Sequence, residues 1–154
     1  MTKDPIRPTD DDARALAQQM IATARHGALG TLQDGVPLVT RIALTPDGGT
    51  FLTLVSDLAM HTKALRITSV ASLLIAEPGK GDPLAHPRMT LQVTPAFIDK
   101  QTAADTYLQH QPKAQLYIGF ADFHMVRLTP TEAFLNAGFG KAFRLMPADL
   151  VSVA

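Results

Sequence analysis

Phe51 to Arg66 reads FLTLVSDLAMHTKALR, and two periodicities meet inside it. Phe51, Leu52, Thr53, Leu54 and Val55 are aromatic, aliphatic or β-branched, the composition of a strand. Ser56-Asp57 breaks the run. From Met60 onward the spacing of Met60, Lys63, Ala64 and Ile67 suits one face of a short helix. The stretch therefore predicts a strand, a tight turn and a helix start. That turn and first helical turn collect Ser56, His61, Thr62 and Lys63. The first N–H groups of a helix lack partners inside it, and its dipole is positive there. Hydroxyls, an imidazole and an ammonium around such a place suit a phosphate. The same residues also fit a plainer arrangement, in which Asp57 caps the helix while His61 and Lys63 are solvated.

Outward from this stretch the chain alternates mostly between strands and turns. Residues 1–9 carry Pro5 and Pro8 and read as a loose arm. Thr9 or Asp10 N-caps a helix whose apolar positions Ala13, Leu16, Ala17, Met20, Ile21 and Ala24 recur at helical spacing, with Gly27 as its stop. Ala28 to Leu32 and Val36 to Leu44 are strands about the hairpin signal Asp34-Gly35. Asp47-Gly48-Gly49 turns into the Phe51 strand, so three antiparallel strands lead into the cradle. Val70 to Glu77 is a strand, Pro78 to Pro87 a loop, and Arg88 to Ile98 a long strand with Met89, Leu91 and Val93 on one face. Pro95 marks an edge or a bulge in it. Gln101 to His110 is a helix closed by Pro112, and Ala114 to Ile118 adds a turn. Phe123 to Leu128 and Thr131 to Ala137 are the last strands. The pattern predicts a mainly β domain with flanking helices, a small closed barrel whose interior is filled by side chains. A ligand then sits outside it, against a strand edge or between subunits.

Composition removes several function classes. With 14 basic and 14 acidic residues the net charge is zero, so neither nucleic acid nor a membrane surface is favoured as a partner. There is no cysteine, which excludes disulfides and thiol catalysis. Charged residues make up 18% of the 154; a surface that poor in charge suggests burial against a partner, such as a second copy. No secretory signal is read at the N-terminus, so a cytoplasmic location is expected. No serine sits in G-x-S-x-G, and no histidine makes a metal-ligand pattern. His26, His86, His110 and His124 are expected in structural or surface roles, His124 half-buried in a strand. Phe120, Phe123, Phe134, Phe139 and Phe143 are expected in the core. Arg41, mid-strand, either faces solvent or sits beside a ring or anion.

Four segments in order carry a resemblance: Ser56 to Thr62 (SDLAMHT), Asp82 to Arg88 (DPLAHPR), Gly119 to Phe123 (GFADF) and Gly138 to Ala142 (GFGKA). Together with ARHGALGTL at Ala24 to Leu32, they resemble the FMN-binding split-barrel superfamily. This is the pyridoxamine 5′-phosphate oxidase-like group, and the match is closest to its HugZ-like haem-utilisation branch. The resemblance implies a six-stranded antiparallel split β-barrel and a homodimer with FMN at each of two subunit interfaces. It implies that Ser56, His61, Thr62 and Lys63 hold the flavin phosphate. It also implies that Val39, Thr40, Arg41 and Ile42 run along the isoalloxazine ring. Arg88 and Met89 match positions near the ring or ribityl chain. The Gly138 to Lys141 loop, with Gly140 and Lys141, closes over the site from one subunit or the other. The activity implied is that of a flavin-dependent oxidoreductase on an unidentified small molecule; a flavin or haem carrier without turnover is the alternative. The oxidase proper has a C-terminal Arg-x-His pair, but no histidine follows Arg144 here, so pyridoxamine phosphate is not the expected substrate. Residues 145–154 match no haem-ligating tail or further domain, so haem cleavage is not expected.

Overall fold

The computed structural model describes residues 6–76 and 79–152. In chain order these form β1 (Ile6–Arg7), α1 (Asp11–Thr23), β2 (His26–Gln33), β3 (Val36–Ala43), β4 (Thr45–Asp47) and β5 (Thr50–Ser56). Then come α2 (Met60–Ile67), β6 (Ala71–Ala76), β7 (Arg88–Ile98), α3 (Lys100–His110), β8 (Phe123–Asn136) and β9 (Ala142–Leu145). Short 3-10 turns occupy Pro83–Ala85, Pro112–Leu116 and Pro147–Leu150. None of the described helices is long and apolar enough to cross a membrane.

Local chemistry sets several of these bounds. The Asp10 carboxylate accepts from the Ala13 N–H at 2.7 Å, and Asp11 and Asp12 sit in the first turn of α1, both favourable at a helix N-terminus. Asp34 and Gly35 have φ of 51° and 77°, the left-handed pair that a two-residue hairpin needs. Gly27 does not stop α1, which ends at Thr23; it lies buried inside β2. A Cβ there would stand 2.9 Å from both a Leu44 methyl and the Leu74 carbonyl. The glycine allows close strand approach, not a helix stop.

The strands run β1-β9-β8-β7-β6-β2-β3, with β5 added to β8 and β4 to β5. The sheet does not close. β3 and β5 lie against each other without pairing, and that is the split in the barrel. The architecture is the split-barrel type, mainly β with flanking helices. It differs from the expected six antiparallel strands by having nine among the described residues, and by the parallel β1–β9 pair. That pair ties down Ile6 and Arg7 of the arm expected to be loose; residues 1–5, like Glu77 and Pro78, lie outside the described residues. Nor do the first three long strands lead as one ladder into the cradle. β5 pairs with β8, Val55 standing opposite His124.

β8 explains the opening. It is a single strand of 14 residues rather than two. Along one edge it holds β7; along the other it holds β5 with its first half and β9 with its second. The register with β7 shifts where Gln92 faces Glu132 and Val93 faces Pro130, leaving Thr131 as an extra residue that bends the strand. Pro95 lies beyond Val93, where β6 ends, so on that side its missing N–H costs no ladder bond.

The two faces of the main sheet differ. Leu29, Leu73, Leu91 and Ala133 stand side by side across β2, β6, β7 and β8, all fully buried. They form the main core with Ala17, Met20 and Ile21 of α1. A second core under α3 joins Leu52, Ala103, Tyr107, Ile118 and Met125. The outer face carries Arg41, Ala28, Leu74, Thr90, Phe134 and Arg144 as one cross-strand row. Of the five phenylalanines expected in the core, only Phe143 is buried there. Phe123 and Phe134 are partly covered, while Phe120 and Phe139 are exposed.

Candidate functional site

The turn between β5 and α2 is built by Ser56. Its hydroxyl oxygen accepts the Leu58 N–H at 3.1 Å. Its carbonyl accepts the Ala59 N–H at 3.0 Å and the Thr62 hydroxyl at 2.5 Å. The N-cap position of α2 is Ala59, which has no side chain able to cap, and no side chain does so. Asp57 is therefore not the cap. The N–H groups of Met60 and His61 find no acceptor among the described residues. The Ser56 hydroxyl hydrogen is also free to donate outward. Uncommitted N–H donors at the positive end of a helix suit an anion.

The side chains around it sort differently from the sequence reading. Lys63 is exposed and has no partner among the described residues, so its ammonium is available to an anion. Thr62 is buried, and its hydroxyl is spent on the Ser56 carbonyl; it shapes the turn. α2 buries Thr62, Ala64 and Leu65, so Met60, Lys63 and Ile67 share an exposed face, and Ala64, expected beside them, turns inward. His61 Nδ1 lies 2.9 Å from the Thr40 hydroxyl. Burial lowers the His61 pKa below its ordinary value of 6.5, so the ring is a neutral hydrogen-bonding group near neutral pH.

That bond brings β3 to the cradle. Among the described residues β3 ends the sheet and pairs only with β2, so alternate residues turn N–H and C=O groups toward the split. Thr40 reaches His61, Ile42 is buried in the core, and Val39 and Arg41 stand exposed on the outer face. Arg41 has no ion-pair partner among the described residues. A hollow of about 290 Å³ lies over Gly30, with Leu32, Val39, Val70 and Ser72 in its wall.

Arg88, Met89, Gly140 and Lys141 are not part of this cluster within one chain. β2 and β6 lie between β3 and β7. Arg88 donates to the carbonyls of Leu84 at 2.9 Å and His86 at 3.4 Å, fastening the loop before β7. Met89 is wholly buried in the main core, so its side chain cannot touch a surface ligand. Gly140 is exposed with φ of 76°, and Lys141 is exposed beyond it. Among the other histidines, His86 meets the Lys80 carbonyl at 2.7 Å and His110 the Ala24 carbonyl at 3.0 Å. No group of acidic, histidine or cysteine side chains among the described residues could hold a metal.

Sequence reasoning missed one cluster. Asp57 lies 2.9 Å from His124 and 3.1 Å from Arg66. His124 is half-buried, as its place in the strand suggested, but its Nε2 lies against the Asp57 carboxylate without forming a hydrogen bond, so the expected satisfied imidazole is not found. Nothing in the spacing of residues so far apart could have joined them.

Solved structures share this fold. One solved structure is 44% identical, with a TM-score of 0.84, over 95% of this chain and 100% of that one. A haem-binding protein from Mycobacterium smegmatis is 27% identical (TM-score 0.83), with 94% of this chain and 61% of that one covered. A protein of unknown function from Agrobacterium tumefaciens is also 27% identical (TM-score 0.82), with 98% and 66% covered. The chain thus spans about two thirds or less of the length of the last two. At 14–18% identity, the fold is shared with Vibrio cholerae HutZ and Campylobacter jejuni ChuZ, and with a pyridoxamine 5′-phosphate oxidase-type protein from Listeria innocua. No family model and no curated protein matches the chain. The chain thus shares the split-barrel fold of these haem-binding and pyridoxamine 5′-phosphate oxidase-type proteins.

Proposed function

We propose that the protein binds FMN between two copies of itself and works as a flavin-dependent oxidoreductase on a small molecule. One observation carries this reading. The unpartnered N–H groups of Met60 and His61, with Lys63 beside them, are joined through the His61–Thr40 bond to the free-edged strand β3. A phosphate end and a flat ring need such neighbouring places. Ser56, the two N–H groups and Lys63 would hold the phosphate, and Thr40 with the β3 backbone would flank the ring. Bound flavin supplies the hydride and electron chemistry. The chain's residues bind, orient and cover it. The outer sheet face, with Val39 70% and Leu74 42% exposed around the small residues Ala28 and Gly30, suits a second copy.

A second reading is a carrier of flavin or haem without turnover. It is favoured by the Mycobacterium smegmatis relative, described as haem-binding. The visible spectrum of the purified protein, before and after adding FMN or haemin, tests both. Flavin absorption retained through gel filtration at dimer size supports the first reading, and NAD(P)H oxidation by that species separates enzyme from carrier. A Soret band with no flavin uptake supports a haem carrier. A colourless protein that takes up neither group overturns both.

A further inference from the structure

A carboxylate sits in the turn whose next residues suit an anion. Asp57 Oδ1 accepts from Arg66 at 3.1 Å and lies 2.9 Å from His124 Nε2. Its backbone N–H donates to the Asp122 carbonyl at 2.9 Å. The Arg66 guanidinium lies 4.5 Å over the Phe97 ring. Phe97 in turn meets the His124 ring edge-on, centroids 6.4 Å apart and planes at 70°. The last turn of α2 and the start of β8 thus meet at one side chain that no capping role explains, with Phe97 of β7 packed behind Arg66 and His124. The His124 contact, and then Arg66, hold the Asp57 carboxyl below the ordinary carboxylate range, so it remains ionised near neutral pH.

We propose that Asp57 is a positioning residue for the anion cradle, clamped by His124 and Arg66 so that the Ser56–Ala59 turn keeps the start of α2 open to a phosphate. This rests on the flavin reading above. Charge alone predicts the opposite outcome of removing Asp57. Taking a carboxylate away from an anion site strengthens anion binding, whereas losing the clamp weakens it. The sign of the effect therefore separates the two.

The test compares FMN with riboflavin, which lacks the phosphate, in titrations of the wild type, Asp57→Asn and Arg66→Met. The expected result for Asp57→Asn is FMN affinity lower by about tenfold, the scale of one charge-assisted hydrogen bond, with riboflavin affinity unchanged. Arg66→Met, altered on an exposed helix face, loses part of the same preference and serves if Asp57→Asn does not fold. Equal losses for both ligands would mean a merely structural role, and unchanged or tighter FMN binding would mean that charge dominates; either overturns the proposal. A wild type that binds neither ligand overturns the flavin reading separately. The clamp is then decided by amide hydrogen exchange at Leu58 to His61. Faster exchange there in Asp57→Asn, with β8 unchanged, supports it, and unchanged exchange overturns it.

Discussion

His61 Nδ1 and the Thr40 hydroxyl lie 2.9 Å apart, which ties the start of α2 to the strand at the end of the sheet. The ring is neutral there because burial lowers its pKa below 6.5. An unfolded chain holds that proton more readily, so acid favours unfolding at this site. The contribution of His61 to stability is complete above the ordinary value. It is lost as pH falls through the interval toward the depressed one. Urea unfolding at about pH 8 and about pH 5, for wild type and His61→Gln, isolates it. The wild type loses more stability on acidification than the variant; parallel losses would contradict a buried neutral ring. Adding FMN should raise the His61 pKa, since a nearby dianion favours the imidazolium, and the ring proton resonances in NMR report that directly.

Lys63 offers the cleanest test of the cradle, because it is exposed and supports nothing else among the described residues. Lys63→Ala should weaken FMN by about 1–3 kcal/mol, the range for a hydrogen bond to a charged group. Its melting temperature should stay that of the wild type. Salt should narrow the difference between the two proteins, since an exposed charge is screened. Unchanged flavin retention in this variant would place the phosphate elsewhere.

The contrast between Thr62 and Lys63 shows what the sequence made legible. Neighbouring residues at one helix start are both read as phosphate ligands, from residue type and from the resemblance. Only the packing of α2 separates them, because the helix turns Ala64 and Leu65 inward and takes Thr62 with them. Features fixed by local chemistry were read closely. β7 runs from Arg88 to Ile98 as its alternation predicted, and Asp34-Gly35 makes its hairpin. What needed distant partners was not legible. The pairing of Val55 with His124, the burial of Met89 and the two-residue β1 all depend on strands far away in the chain. The closed barrel failed for the same reason. Strand count does not reveal that β8 carries β5 and β9 on one edge and leaves β3 and β5 unpaired.

Gly27 and Gly30 lie three residues apart in β2 and should respond differently to alanine. At Gly27 the added Cβ meets a Leu44 methyl and the Leu74 carbonyl, each at 2.9 Å. The backbone oxygen cannot yield cheaply, so Gly27→Ala should lose about 1–3 kcal/mol, the usual cost of overpacking. At Gly30 the nearest atom, the Ser72 carbonyl oxygen, is 3.6 Å away, an ordinary contact. Gly30→Ala should keep its urea midpoint. Because Gly30 floors the hollow on the outer face, it should instead weaken self-association in sedimentation equilibrium if a second copy covers that face. Matching midpoints for the two variants would mean that the strand crowding at Gly27 relaxes freely.

Met89 distinguishes a core residue from a ring contact. Its side chain is fully buried beside β6 and β8, whereas the resemblance put it near the flavin. Truncation to alanine removes buried atoms and leaves a cavity, which costs about 2–5 kcal/mol. If packing is its whole role, Met89→Ala should unfold at lower urea, while the protein still folded binds FMN with wild-type affinity. Arg88→Ala, one residue earlier, should do the reverse in part. It frees the loop carbonyls of Leu84 and His86 at little cost to the core, and any effect on flavin then reports the loop. A Met89→Ala protein of wild-type stability but lower flavin affinity would contradict a role in packing alone and favour the position near the ring or ribityl chain.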